Sequence, residues 1–102
     1  MQNLQECQDD GKGYGKMIRE IVIPLSVEKK IKKLPHEIRK KLYWCIDMLM
    51  KNEKHPSLRN KKIQGTELYW EFSVTMNYRA VYRRESEKGF LVGIGTHEDI
   101  FR

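Results

Sequence analysis

Cysteine is scarce: Cys7 and Cys45 are the only two in 102 residues. Two cysteines without paired histidine spacing cannot close a tetrahedral zinc shell, and they make no disulfide framework. Long apolar runs are missing too. No stretch approaches the roughly 18 residues of a membrane span, and no apolar leader core follows Met1. The expectation is a cytoplasmic protein with no membrane partner. No internal repeat is visible. Acidic residues are in deficit, with 14 Asp plus Glu against 20 Lys plus Arg, a net charge of +6 and a pI near 9.4. That sign favours an anionic partner: nucleic acid, an acidic protein or an anionic surface.

What the sequence does have is a clustered positive charge. Residues 29–62 hold 12 Lys and Arg but only three acids, Glu37, Asp47 and Glu53. A solvated helix face explains any single lysine, whereas clustering costs self-repulsion and points to phosphate contact. The length allows one domain with one modest core. Residues 1–15 are polar and glycine-punctuated and read as a flexible tail, leaving 16–102 as the folded domain.

The β-branched run over 17–24 (MIREIVIP) predicts a strand stopped by Pro24. Ser26 is placed to cap a short helix over 27–34, and Pro35 restarts a longer one. In that helix Ile38, Leu42, Cys45 or Ile46, and Leu49 recur at helical spacing until Asn52, so Cys45 reads as a small core residue. His55-Pro56-Ser57 breaks the helix, and Gly65 marks a turn. Three strands are expected over 69–75, 78–84 and 90–95, with a tight turn at Met76-Asn77. In the first of these, Trp70, Phe72 and Val74 share a face, opposite Glu71, Ser73 and Thr75. The plan is α+β: an N-terminal strand, two helices, then a three-stranded antiparallel meander, in one sheet with one face partly open.

Three groups of residues can carry chemistry. His97 follows a strand end punctuated by Gly93 and Gly95, and its imidazole can exchange a proton near neutrality; alone, it reads more readily as a surface histidine capping the last turn. Arg79 lies on a strand, where a guanidinium can hold a phosphate in fixed geometry or pair across to Glu71. His55, Arg59, Lys54, Lys61 and Lys62 form a basic turn that can grip phosphates or be merely solvated. Tyr69, Tyr78 and Tyr82 can stack on bases or fill the core.

In order along the chain, the HPSL–K–K–x–x–G loop from His55, the WEFSVTMNYRAVY strand pair and the closing GTHEDIF resemble the RelE/ParE toxin superfamily, in the branch ending GTHxxxF. The resemblance runs from Ile18 to Phe101. It implies a RelE-like fold and a toxin of a type II toxin–antitoxin system. It implies a ribosome-dependent, metal-free endoribonuclease that cuts mRNA, with no cofactor. His97 then matches the general acid, Arg79 the phosphate clamp, and Phe101 the aromatic that orients the nucleotide; His55 lies near a loop histidine of some members. That branch often has histidine where Ser73 stands and an acid where Asn77 stands. The expected partners are a cognate antitoxin, the ribosome and mRNA, with DNA contacted only through the antitoxin. The alternatives are a ParE-like inhibitor of DNA gyrase and a catalytically weakened RNA- or ribosome-binding relative.

Overall fold

The computed structural model describes residues 17–96, so the N-terminal tail, Cys7, His97 and Phe101 lie outside the described residues. Among the described residues the first element is strand β1 (Glu20–Val22), followed by helices α1 (Leu25–Lys32) and α2 (His36–Lys51). Strands β2 (Lys61–Lys62), β3 (Tyr69–Ser73), β4 (Tyr78–Glu85) and β5 (Lys88–Thr96) follow.

The strands make one five-stranded sheet in the order β1-β5-β4-β3-β2. The expected meander is present as the antiparallel pairs β3–β4 and β4–β5. It is not the whole sheet. The N-terminal strand pairs parallel with β5, Ile21 opposite Gly89, and the two-residue β2 adds an antiparallel edge on β3. Parallel pairing requires a long connection, and here the chain passes through both helices and strands β2–β4 between the two partners. Gly89 allows it: a Cβ there would stand 2.7 Å from Ile21 Cδ1 and 3.1 Å from Tyr82 Cδ2.

Helix α1 starts at Leu25, two residues before the expected position. Ser26 does not cap it. Pro24 does, through its carbonyl, which accepts from the Val27 and Glu28 N–H groups at 3.0 and 2.9 Å. Proline cannot donate but its carbonyl still accepts, so it suits a helix entrance. Pro35 caps α2 in the same way, and Asn52 ends it as the fading apolar pattern predicts.

The core lies between the helices and one face of the sheet. Val27 and Ile31 of α1 and Leu42, Cys45, Ile46 and Leu49 of α2 meet Phe72, Ala80, Tyr82, Leu91 and Ile94. Each fully buried aliphatic side chain contributes about 1.5–3 kcal/mol relative to exposure. The turn after β3 is wider than the expected two residues. Thr75 Oγ1 accepts from the Asn77 and Tyr78 N–H groups at 3.3 and 3.2 Å, a side-chain-closed turn that puts Met76 in solvent. No helix among the described residues is long and apolar enough to cross a membrane.

Candidate phosphate-binding cleft

A cleft of about 490 Å³ opens where the loop after α2 meets the end of β3 and the start of β4. Lys41, Arg59 and Arg79 line it, with the hydroxyls of Ser57, Ser73 and Thr75 and the side chains of Pro56, Val74 and Met76. Cations and hydroxyl donors around one concavity suit a phosphodiester or another oxyanion.

Each cation is held by a different element. Arg79 rises from β4 opposite Ser73, and its NH1 donates to Ser73 Oγ at 2.5 Å. Its Nε lies 3.8 Å from Glu71 Oε1, while Glu71 Oε2 faces Lys61 Nζ, also at 3.8 Å. The cross-strand ion pair is therefore present, and it leaves Arg79 half-buried on the cleft wall rather than sealed away. Arg59 sits in the left-handed region with φ 49°. A non-glycine residue there costs about 1 kcal/mol or more and persists only where the surroundings fix it. The fixing is visible. Leu58, next to it, is fully buried, and its carbonyl accepts from the Ser73 N–H at 2.7 Å. Lys41 comes from α2, at the margin of the stripe formed by Leu42 and Cys45, so it turns toward the sheet.

The loop carrying Ser57 and Arg59 is clamped at both ends from β4. Tyr82 Oη donates to Asn60 Oδ1 at 2.7 Å, and Arg84 pairs with Glu53. Arg84 also lies over the Trp70 ring, 4.5 Å from its centroid. Tyr82 is thus no base-stacking residue: it is fully buried, with its ring against Phe72. Burial pushes its hydroxyl well above the ordinary tyrosine range, with Arg84 opposing. Tyr69 and Tyr78 keep part of their surface in solvent.

His55 does not line the cleft, but the two residues after it do. Its Nδ1 accepts from the Ser57 N–H at 3.2 Å and lies 2.8 Å from Ser57 Oγ. A backbone N–H can only donate, so the neutral ring carries its proton on Nε2. Lys54, Lys61 and Lys62 stand apart from the cleft lining: Lys54 is in the turn after α2, Lys62 on edge strand β2, and Lys61 is drawn to Glu71. Thr75 and Met76 are cleft residues that pattern reading did not single out, while Lys41 stood only within the charge cluster and Ser57 only within the basic loop. For Lys41 a signal existed, its place at the edge of the apolar stripe of α2. For Thr75 and Met76 it did not, because turn closure by Thr75 depends on register.

Cys45, beneath the cleft, directs Sγ at the Ser73 carbonyl at 3.6 Å. Burial raises its thiol from the ordinary 9.0 to about 11, partly offset by Lys41. It is a packing residue, not a nucleophile. His97 and Phe101 lie outside the described residues. Thr96, which precedes His97 in sequence, pairs with Tyr78, next to Arg79.

A small α+β fold with a cationic cleft at the open end of a mixed sheet is the class that emerges. No family model matches the sequence, and no curated protein does. Solved structures do match. YafQ from E. coli strain BL21(DE3) aligns with a TM-score of 0.67 at 18% identity, over 82% of this chain and 99% of that one. The RelB–RelE antitoxin–toxin complex from Methanococcus jannaschii aligns at 0.65 and 20% identity, over 78% and 94%. A YoeB/ParE toxin from Agrobacterium tumefaciens aligns at 0.63 and 18% identity, over 76% and 98%. The chain shares the fold of these solved structures.

Proposed function

We propose that this protein is the toxin of a type II toxin–antitoxin pair and a ribosome-dependent endoribonuclease that cuts mRNA. The observation that supports it most is the convergence of Lys41, Arg59 and Arg79 on one cleft within this fold. In the reaction, the 2′-hydroxyl of the substrate gives up its proton to water as its oxygen attacks the adjacent phosphorus, the P–O5′ bond breaks, and a 2′,3′-cyclic phosphate and a 5′-hydroxyl form. Arg79, with Arg59 and Lys41, stabilises the extra negative charge of the phosphorane; aligned cations in a partly dry site contribute a few kcal/mol. His97 gives the departing 5′-oxygen its proton, a contribution of roughly 10²–10⁴-fold, and Phe101 orients the nucleotide. His55, with Nε2–H as donor, assists at the cleft margin. Lys54, Lys61 and Lys62 act at longer range by drawing RNA to this side of the molecule, an effect that weakens with salt.

The partner is an antitoxin with an acidic, amphipathic neutralising segment, as charge complementarity with the basic helices requires. Support comes from the fold neighbours solved as antitoxin–toxin complexes, RelB–RelE and DinJ–YafQ. A binding-only relative is the second reading. It is favoured by Arg79 being already engaged with Ser73 and Glu71, where a second general acid or base would serve a nuclease better.

Primer extension on a defined message in cell-free translation tests the first reading. Codon-phased cuts that require translation, lost in His97→Ala and in Arg79→Ala, are the expected result. A message left intact by the wild type refutes the nuclease. Ribosome binding without cutting then establishes the second reading, and inhibited supercoiling by gyrase would identify a ParE-like inhibitor.

A further inference from the structure

The two tryptophans of the chain are treated differently by the fold. Trp70 packs against the core and is covered by Arg84. Trp44 belongs to no core cluster among the described residues and keeps 39% of its surface in solvent. An indole left in water on a charged helix leaves much of its area without protein contact. Its neighbours are informative. Lys41 Nζ lies 4.3 Å from the centroid of the Trp44 ring, and His55 meets the ring edge-on at 5.6 Å and 88°. Lys41 is itself a wall of the cleft, and His55 leads directly into cleft residues Pro56 and Ser57. Trp44 therefore borders the cleft through Lys41 and adjoins its loop through His55.

We infer that Trp44 is a stacking platform for a base of single-stranded RNA whose adjoining phosphate occupies the cleft. The inference rests on the reading that the cleft takes an RNA phosphate. Aromatic faces beside a cationic groove are how single strands are held without regard to sequence. Lys41 links the two parts. An ammonium is attracted to an indole face by the ring quadrupole, but a phosphate carries a full charge. When RNA enters, Lys41 turns to the phosphate and leaves that indole face to a base. His55 keeps the platform in place and offers Nε2–H to a base edge or ribose oxygen, because Ser57 holds its Nδ1. The site is thus a nucleotide site in two halves, phosphate in the cleft and base on α2.

The test compares two dye-labelled probes of equal charge by fluorescence anisotropy at low salt: hexaadenylate RNA and a ribose-phosphate hexamer without bases. For Trp44→Ala the expected result is about a ten-fold weaker hold on hexaadenylate, with no change on the abasic probe. Trp44→Phe, which retains an aromatic face, keeps most of the affinity and shows that the helix is intact. Arg79→Gln weakens both probes alike. The inference is overturned if the wild type holds hexaadenylate no better than the abasic probe, or if Trp44→Ala weakens both probes equally or neither. Base-dependent binding through Trp44 in a protein that never cuts mRNA would sink the nuclease reading and leave the platform standing. Normal cutting with Trp44→Ala silent on both probes would do the reverse.

Discussion

Arg84 and Arg79 sit five residues apart on β4, and the fold uses them in opposite ways. Arg84, with 5% of its side chain exposed, pairs with Glu53 and stacks on Trp70 under the loop after α2. Arg79, 27% exposed, donates to Ser73 and lies 3.8 Å from a carboxylate it shares with Lys61, and it faces the cleft. The difference separates an arginine sealed into the core from one left on a cleft wall, as the proposed phosphate clamp needs. A buried cation is tolerated only when its partners satisfy it at one geometry. A cation meant for a ligand needs partners that orient it without consuming it. The largest expected effect breaks this contrast most directly. Arg84→Ala leaves the Glu53 carboxylate without its guanidinium and uncovers Trp70, and should cost about 3–5 kcal/mol. Arg79→Gln, which keeps a donor for Ser73 and leaves the buried Glu71 carboxylate paired with Lys61, should cost less, about 1–2 kcal/mol. Urea unfolding of the two variants measures the gap; equal losses would show that Arg79 is structural too.

Why Arg84 escaped sequence reading while Arg79 did not is itself physical. Arg79 stands in a motif, NYRAVY, and alternates with apolar neighbours. Arg84 lies past a register shift between Val81 and Tyr82, which changes which side chains share a face. The helices, the breaks at Pro24, Pro35 and Asn52, and the β3–β4–β5 meander were all legible, because they depend on local spacing and proline. The parallel pairing of β1 with β5 and the two-residue β2 were not, since both are fixed by partners distant in sequence. The same holds for the site. Arg79 and Arg59 were readable as candidates, whereas Tyr82 stayed open between stacking and core because strand aromatics look alike until packing assigns them a side. Leu58, buried and bonded through its carbonyl to Ser73, gives no sign in sequence that it positions Arg59.

Cys45 joins the two regions, since it belongs to the closed core yet reaches the Ser73 carbonyl beside Arg79. Its thiol titrates near 11 in the folded chain and near 9.0 when solvated. Above pH 9 the unfolded chain gives up this proton while the native one retains it. The unfolded state then binds fewer protons, so stability is full below pH 9 and falls as pH rises to 11, by up to roughly 2–3 kcal/mol. Tyr82 acts in the same direction at higher pH. Denaturation midpoints of the wild type and Cys45→Ala, compared from pH 8 to 11, isolate the thiol. The variant is less stable at pH 8 because of its cavity, but its decline with pH should be shallower. Parallel declines would mean that the thiol is not sealed, and that the core does not extend under the cleft.

Burial, not the ion pair as such, is what separates Arg84 from Arg79, and a third pair gives the limiting case. Lys51 Nζ lies 2.9 Å from Asp47 Oδ2, one turn apart on α2, with 68% and 55% of the two side chains exposed. This contact is shorter than either Glu71 contact, so if distance set the energy it would matter more. Water screens both charges, and the order along the helix, acid before base at a four-residue spacing, contributes only about 0.3–0.5 kcal/mol. Asp47→Asn should therefore shift the urea midpoint barely beyond error at low salt and not at all in 1 M salt, where the screening length falls to about 3 Å. A loss above about 1 kcal/mol that survives high salt would mean that the C-terminal turn of α2 depends on this pair. The loop bearing Ser57 and Arg59 would then be anchored from the helix as well as from β4.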